Sequence, residues 1–153
     1  MKIHLIRLCY KIINPIRKFY WFIFQPYTRG VKCIVEYKGK VLLVKISYAH
    51  KKWTIPGGGV SKKESFEDAA RREIKEEVGI KLTNLNKIGE YVNTKEYKID
   101  TVEVFSSHVN DLMYNIDRQE IDQARWFDID GSDLPSNRML RVDLLLEMYR
   151  SQK

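Results

Sequence analysis

The sequence predicts an α/β fold in which helices flank a mixed central sheet. Apolar and β-branched residues gather in short segments that predict strands at residues 31–37, 41–46, 91–94, 98–109 and 124–127. Helical spacing of three and four residues predicts helices between and after them. A chain of 153 residues that is 44% hydrophobic normally builds one domain around one core. Together these observations favour an α/β/α sandwich.

The first 26 residues differ from the rest, and we expect a basic amphipathic helical extension ahead of a domain at residues 27–153. Apolar residues recur there at steps of three and four. They are Leu5, Leu8, Cys9, Ile12, Ile13, Ile16, Phe19, Tyr20 and Ile23. Pro15 interrupts a helix, but Asn14 as N-cap and Pro15 as first residue allow a second helical piece to begin.

The part of the chain before Glu36, which contains this extension and the first residues of the domain, carries the whole net charge. The charged residues before Glu36 are all basic, namely Lys2, Arg7, Lys11, Arg17, Lys18, Arg29 and Lys32, and they equal the formal charge of +7. Residues 36–153 are neutral overall, which argues against specific binding of nucleic acid. Two interpretations stay open: the segment packs on the domain or on a second subunit, or it lies on anionic lipid with Tyr20 and Trp21 at the headgroups.

Cellular location follows from the cysteines and from the length of the apolar runs. Cys9 and Cys33 lie far apart without metal-ligand spacing, which is typical of reduced packing residues in an intracellular protein. The longest apolar run, residues 19–24, is too short to span a bilayer or to serve as a signal peptide. We expect a cytoplasmic protein, with peripheral attachment to the inner face of a membrane as an alternative.

In the domain, a hairpin joins residues 31–37 and 41–46 through Lys38-Gly39-Lys40. Gly57, Gly58 and Gly59 then follow Trp53-Thr54-Ile55-Pro56. Because glycines have no side chains, their backbone N–H groups can approach an anionic ligand closely. The three glycines are therefore candidate ligand-binding residues.

A helix over residues 66–78 is predicted by Ser65 as N-cap and by Gly79, which can adopt the left-handed C′ conformation. On the helical wheel, Glu73 and Glu77 border the apolar stripe and Glu76 lies one step further round. Like charges three and four residues apart repel on a helix, so we expect a cation to offset them. Pro135-Ser136 predicts the start of a closing helix, with apolar positions at Leu140, Leu144, Leu145 and Met148.

Residues 58–80 carry a recognisable pattern. Gly58, five residues, Glu64, seven residues, Arg72-Glu73, aliphatic Ile74, Lys75, Glu76-Glu77, Val78, Gly79 and aliphatic Ile80 match the Nudix box at every fixed position. The chain thus resembles the Nudix hydrolase family of MutT-like enzymes, over roughly residues 27–153. The resemblance implies the α/β/α Nudix fold and cleavage of a diphosphate bond in a nucleoside diphosphate linked to another moiety.

Carboxylate oxygens suit Mg²⁺ or Mn²⁺, and such ions act as Lewis acids on phosphates and water. Glu73, Glu76 and Glu77 are the expected metal ligands, and Glu76 is also a candidate base. Arg72 is expected to orient a carboxylate through a bidentate pair. Family members often recruit an acid from the loop after the sheet, and Glu120 is the candidate here, with Asp117 and Asp122 nearby. The role of Glu64 stays open.

The substrate is less well defined by the residues. Tyr91, Tyr97 or Trp53 could stack a base, or they could belong to the core. Tyr97 lies near the tyrosine position of dinucleoside-polyphosphate members, and Lys95 and Glu96 stand where ADP-ribose members carry proline. The candidates are a nucleoside triphosphate, a dinucleoside polyphosphate or a nucleotide sugar. The alternative function is a non-catalytic Nudix-fold module that binds a nucleotide or a partner, and attachment to a membrane surface through the extension is compatible with it.

Overall fold

The computed structural model describes residues 13, 15–17, 19–20, 22–24, 26–47, 51–94 and 97–153. In chain order the strands and helices of the domain are β1 (Tyr27–Tyr37), β2 (Lys40–Ile46), β3 (Trp53–Thr54), α1 (Phe66–Val78), β4 (Asn86–Asn93), β5 (Ile99–His108), β6 (Ile121–Asp128) and α2 (Leu140–Arg150). Apart from β3, the helices and strands of the domain follow the order that the sequence predicts.

The six strands form one mixed sheet. Its order is β3-β2-β1-β5-β4, and β6 pairs with β2. β1 and β5 run parallel over ten registered pairs, from Tyr27 opposite Ile99 to Glu36 opposite His108. β1 and β2 pair only beside their turn, where Lys38 and Gly39 have positive φ angles. β1 therefore lies in the middle of the sheet, where both faces are covered.

The two faces of the sheet carry two apolar clusters. Along β1, Cys33 and Val35 face α1, whereas Ile34 faces α2. The α1 cluster includes Ala70, Ile74 and Val78, and the α2 cluster includes Val142, Leu145 and Leu146. A strand buried on both sides reads as a continuous apolar run, as residues 33–35 do. The predicted α/β/α sandwich is confirmed.

The predicted ends of α1 are also confirmed. The Ser65 hydroxyl accepts a 3.0 Å hydrogen bond from the Asp68 N–H, and Gly79 takes a left-handed conformation at φ 71°. The N–H of Gly79 returns to the Lys75 carbonyl at 3.0 Å. These caps fix the length of the helix that carries the acidic residues.

Several boundaries differ from the sequence prediction. β4 begins at Asn86 rather than at residue 91, and β3 is an additional strand of two residues. β6 extends over Ile121–Asp128, beyond the predicted residues 124–127. α2 begins at Leu140, without a side-chain cap, rather than near Pro135. Its buried residues are Val142, Leu145, Leu146 and Tyr149, whereas Leu140 and Leu144 are exposed.

The described residues between 13 and 24 are helical. Predictions for Leu5, Leu8, Cys9, Ile12, Asn14, Lys18 and Trp21 lie outside the described residues, as do those for Lys95 and Glu96. Within the part of the chain that the structure describes, no helix is both long and apolar enough to cross a bilayer.

Candidate active site

The glycine-rich loop that precedes α1 runs along β1. The Cys33 N–H donates to the Pro56 carbonyl at 3.0 Å, and the Val31 N–H donates to the Gly58 carbonyl at 2.9 Å. Further on, the Val60 N–H donates to the Arg29 carbonyl at 2.9 Å. These bonds hold the loop between the middle strand of the sheet and the acidic face of α1.

Two of the loop glycines approach other groups closely, and at Gly57 the approach requires glycine. Gly57 has φ +131°, and a Cβ there would lie 2.3 Å from the Val31 carbonyl oxygen, which belongs to the backbone and cannot move aside. A Cβ on Gly58 would lie 2.5 Å from the Glu73 carboxyl carbon. The glycines therefore let the loop pack directly against a carboxylate of α1.

Arg72 is the centre of a network of carboxylates. Its guanidinium holds Glu64 through two bonds, from Nε to Oε1 at 2.7 Å and from Nη2 to Oε2 at 2.9 Å. Its Nη1 donates to Glu73 at 2.7 Å and to Glu76 at 3.1 Å, and Nη2 also donates to the Gly59 carbonyl at 2.9 Å. One cation thus ties the loop to three acids, and these bonds hold the pKa of Arg72 above its ordinary value, led by the pair with Glu64.

Glu64 therefore has a position that the sequence prediction left open. Besides the bidentate pair, its Oε2 accepts the Ser61 N–H at 3.0 Å. The Arg72 guanidinium, followed by this backbone N–H, lowers the pKa of Glu64 to about 2. Glu64 is the anionic partner that fixes Arg72, and the predicted bidentate pair of Arg72 is present in this geometry.

Glu77 lies deepest in the site. Its side chain is buried, and its Oε2 accepts the Gly57 N–H at 2.8 Å. Burial raises the pKa of Glu77 to about 7, and the negative charges of Glu73 and Glu120 add to this, against the opposing charge of Lys32 and the Gly57 hydrogen bond. The Gly57 N–H, predicted to face an anionic ligand, thus serves a carboxylate of the protein.

Glu73 and Glu76 take the positions that the helical wheel predicts. Glu73 is largely buried beside Gly58, whereas the Glu76 side chain is 59% exposed. Burial raises the pKa of Glu73, and nearby Glu76 and Glu120 raise it further, although Arg72 opposes them. Two of the three predicted ligands thus face inward and the third lies at the rim.

Glu120 reaches the site because the β5–β6 loop binds the C-terminal end of α1. The Asn115 N–H donates to the Val78 carbonyl at 2.8 Å, and the Asp117 N–H donates to the Glu77 carbonyl at 3.0 Å. The negative charge of Glu120 raises the pKa values of both Glu73 and Glu77. Asp117 instead closes the turn of the loop by accepting the Gln119 N–H at 2.9 Å, and Asp122 lies on β6.

Lys32 is a site residue that the sequence interpretation missed, because it counted this lysine only among the charges of the basic segment. Its ammonium group donates to the carbonyls of Ile55 at 2.7 Å and Gly57 at 3.2 Å. Burial lowers the pKa of Lys32, and the charges of Glu77, Glu73 and Asp100 oppose this. Lys32 therefore holds the glycine loop through these carbonyls and offsets part of the negative charge of Glu73 and Glu77. The position of Lys32 within the otherwise apolar run of residues 31–35 is the sequence signal that could have indicated its role.

The donors in this cluster fit a hard divalent cation. Within the described ranges, no group of three or more His, Cys, Asp or Glu side chains is arranged to hold a metal ion. Arg72 bonds to Glu73 and Glu76 in this arrangement. Burial, more than repulsion among the acids, raises the pKa values of Glu73 and Glu77, and a bound cation would offset the cost of ionising these carboxylates. Carboxylate oxygens with excess negative charge are the donors that Mg²⁺ and Mn²⁺ prefer.

A cavity of about 750 Å³ adjoins the loop. Among its lining residues, six are basic and only Asp100 is acidic. The basic ones are Arg17, Arg29, Lys32, Lys62, Lys98 and Arg141. Asp100 accepts a 2.6 Å hydrogen bond from Thr28 and pairs with Lys98 at 3.3 Å, so its charge is largely used within the wall. The cavity therefore favours an anionic ligand that extends away from the carboxylates.

Of the three aromatic candidates, one lines the cavity. Tyr91 does, and the Arg141 guanidinium lies 4.4 Å from its ring centroid while donating to Asn93 at 2.8 Å. Trp53 instead belongs to the core, edge-on to Phe127, which is the second of the two alternatives that the sequence offers for it. Tyr97 is exposed, does not line the cavity and contacts Phe22 at 5.0 Å between ring centroids.

Comparisons with known proteins agree with this geometry. The NUDIX domain family model matches residues 26–142. An oxidized purine nucleoside triphosphate hydrolase from Danio rerio is 37% identical over 117 residues, covering 73% of this chain and 72% of that protein. An RNA pyrophosphohydrolase from Bartonella clarridgeiae is 32% identical over 142 residues, covering 72% of this chain and 80% of that protein.

A solved structure shows the same architecture. The MutT Nudix hydrolase from Burkholderia pseudomallei superposes with a TM-score of 0.71 at 25% identity, covering 80% of this chain and 97% of that one. Nudix hydrolases use divalent cations, and the relatives act on nucleotide-type substrates. The chain belongs to the Nudix family of pyrophosphohydrolases.

Proposed function

We propose that the protein is a Mg²⁺- or Mn²⁺-dependent pyrophosphohydrolase that cleaves a diphosphate bond in a nucleoside diphosphate linked to another moiety. The observation that carries the proposal is the position of the buried carboxylates of Glu73 and Glu77, which contact the glycine loop whose residues also line a cavity with mainly basic charged groups. Acids alone would repel a phosphate, and basic residues alone would bind it without activating water. Side by side, they suit a substrate whose diphosphate meets the acids through a cation.

In this proposal Glu73 and Glu77 hold the cation, with Glu76 as a further ligand. When bound, the ion supplies Lewis-acid chemistry, neutralising phosphate oxygens and acidifying water. Glu76, exposed at the rim, or Glu120, on the facing loop, accepts the proton from the attacking water. Arg72 is a positioning residue, because its bonds go to carboxylates and to the loop carbonyl.

The cavity indicates where the rest of the substrate lies. Arg29, Lys62 and Lys98 line it beside Gly58 and Gly59, and they would bind phosphate oxygens that the cation does not reach. Arg141 covers one face of the Tyr91 ring, so a nucleobase would stack on this guanidinium–tyrosine pair. Because one relative is named as an oxidized purine nucleoside triphosphate hydrolase, triphosphates are the first substrates to test, before dinucleoside polyphosphates and nucleotide sugars.

The test is a screen of these three substrate classes with Mg²⁺ or Mn²⁺, in which phosphate release is measured and products are separated by chromatography. Glu76→Gln should fold normally and lose most turnover. Glu67→Gln is the matched control, because it removes the same charge from an exposed position of the same helix. Full turnover in Glu76→Gln would remove the role assigned to Glu76.

A second candidate is a non-catalytic module that binds a nucleotide. It is favoured by one observation: Arg72 bonds to both Glu73 and Glu76, which leaves these carboxylates occupied. In the same screen, this candidate predicts binding of nucleotides without product formation under either metal.

We place the active protein in the cytoplasm, as the buried reduced thiol of Cys33 favours.

A further inference from the structure

The N-terminal segment, defined here as residues 13–24, exposes an unusual amount of apolar surface. Seven large side chains of the segment are each more than half exposed: Ile13, Ile16, Phe19, Tyr20, Phe22, Ile23 and Phe24. Single exposed apolar residues are common on proteins, but a contiguous set of this kind marks a surface that contacts something else. The domain itself does not cover this set.

Most of these side chains share one face. The described residues of the segment are helical, and at 100° per residue Ile13, Ile16, Phe19, Tyr20, Ile23 and Phe24 fall within an arc of roughly 140°. Phe22 lies outside the arc and contacts Tyr97 of the domain at 5.0 Å. Arg17, just beyond the other edge of the arc, lines the cavity. The segment is thus tied to the domain while its apolar face points outward.

Charge distinguishes between possible occupants of this face. Every charged residue before Glu36 is basic, and the rest of the chain is neutral. A symmetric interface between two copies would bring identical surfaces together, and these segments have no acids to balance their cations. An anionic lipid surface balances them and also accepts the apolar face. Tyr20 and several phenylalanines suit the boundary between headgroups and acyl chains.

We propose that residues 13–24 dock the enzyme peripherally on an anionic lipid bilayer, with the exposed apolar face buried at the headgroup boundary. This inference goes beyond the hydrolytic function and does not depend on it. Because Arg17 and Tyr27 both line the cavity, docking brings the cavity beside the bilayer.

The test is co-sedimentation of the full chain with vesicles. Phosphatidylcholine vesicles containing phosphatidylglycerol should bind the protein at low salt, and pure phosphatidylcholine vesicles should bind it far less. Ile16→Gln/Ile23→Gln should lower partitioning to the anionic vesicles by at least about tenfold, because two apolar side chains no longer enter the bilayer. The matched control is Met113→Gln/Leu144→Gln, which changes two side chains that are 81% and 50% exposed on the domain. It should partition like the natural chain.

A second pair of substitutions tests the contribution of positive charge. Lys11→Glu/Lys18→Glu should weaken binding to the anionic vesicles and leave any binding to neutral vesicles unchanged. Failure of the natural chain to sediment with either vesicle overturns the proposal, as does equal loss in the Met113→Gln/Leu144→Gln control. A dimer by light scattering without lipid, converted to monomer by Ile16→Gln/Ile23→Gln, would instead assign the face to a second copy and also overturn it.

Discussion

Two buried glutamates beside the central sheet differ in how their charge is balanced. Glu36 is the residue before the last one of β1, and Glu77 is the last acid of α1. Their exposed fractions are 4% and 7%. Burial raises the pKa of both, yet the pKa of Glu36 is lowered overall, whereas that of Glu77 rises to about 7. The outcomes are opposite because Glu36 lies nearer to solvent and accepts hydrogen bonds from charged and hydroxyl donors, whereas Glu77 is more deeply enclosed beside two further acids.

Glu36 is surrounded by donors. The Lys153 ammonium lies 2.9 Å from its Oε1 and 2.7 Å from its Oε2, and the Tyr149 hydroxyl donates to Oε2. His108 approaches Oε2 at 3.4 Å. These groups join α2 and the last residue of the chain to the end of β1. Glu36 is therefore a structural acid whose charge is balanced by the protein.

Glu77 has the Gly57 N–H as a donor and shares its surroundings with Glu73 and Glu120. Lys32 offsets only part of their charge, because its own hydrogen bonds go to backbone carbonyls. An acidic cluster is therefore a candidate for cation binding when the surrounding groups leave its negative charge unbalanced. Burial of a carboxylate is not sufficient for this.

The largest expected difference between the two acids is in turnover. Glu77→Gln should lower kcat by about a thousandfold, because an amide cannot replace an anionic oxygen ligand of the cation. Glu36→Gln should leave the kcat of the folded protein nearly unchanged. Steady-state kinetics on the substrate found in the screen would measure both. Comparable kcat losses in the two variants would erase the distinction.

Stability should show the reverse pattern. Glu36→Gln should lower the free energy of unfolding by about 1.5 to 3 kcal/mol, because Lys153 and Tyr149 lose their anionic partner. Glu90→Gln is the matched control, since Glu90 pairs with Lys87 on an exposed surface. That variant should be within about 0.5 kcal/mol of the natural chain. Urea unfolding at neutral pH gives these values, and a small loss in Glu36→Gln would contradict the structural role.

The pH dependence of stability should separate the two acids further. Because the folded pKa of Glu77 is raised to about 7, its contribution is fully present below the unfolded value of 4.5 and is lost as the pH rises through about 7. With metal removed by a chelator, the free energy of unfolding of Glu77→Gln should therefore exceed that of the natural chain by on the order of 2 to 3 kcal/mol once the pH has risen through that window.

Glu36 has the opposite sign. Its lowered pKa means that its contribution is present above 4.5 and is lost as the pH falls through the folded value. The advantage of the natural chain over Glu36→Gln should thus shrink in acid. Unfolding midpoints measured across pH for the three proteins would test both directions, and parallel curves would show that the two acids titrate alike.

A smaller effect is expected when the fork of Arg72 is replaced. Arg72→Lys keeps the positive charge but cannot hold Glu64 at two points while reaching Glu73 and Glu76. We expect kcat/KM to fall about tenfold, as for loss of a group that orients metal ligands. Arg71→Lys is the control, because Arg71 binds the Leu82 carbonyl away from the acids. Equal effects of the two changes would deny Arg72 its positioning role.

Features with local causes could be predicted from the sequence. The span of α1 follows from its caps, and the inward positions of Glu73 and Glu77 follow from the helical period. The strands rich in β-branched residues were also found, because apolar runs of that kind seldom form anything else.

Features that depend on distant partners could not be predicted. The first half of β4 is polar apart from Ile88, and its Gly89 lies against Met148 of α2, so only pairing with β5 makes it a strand. The two residues of β3 are held by backbone bonds between Trp53 and residues 137 and 139. The role of Lys32 likewise appears only when the glycine loop crosses β1.

Direct binding of Mn²⁺ tests most simply whether the unbalanced acids of α1 form a cation site. Free Mn²⁺ can be followed by electron paramagnetic resonance during titration of the natural chain, Glu77→Gln and Glu36→Gln. We expect Glu77→Gln to bind at least about tenfold more weakly than the natural chain, and Glu36→Gln to bind equally well. Equal affinity of the natural chain and Glu77→Gln, or an equal loss in Glu36→Gln, would contradict the assignment.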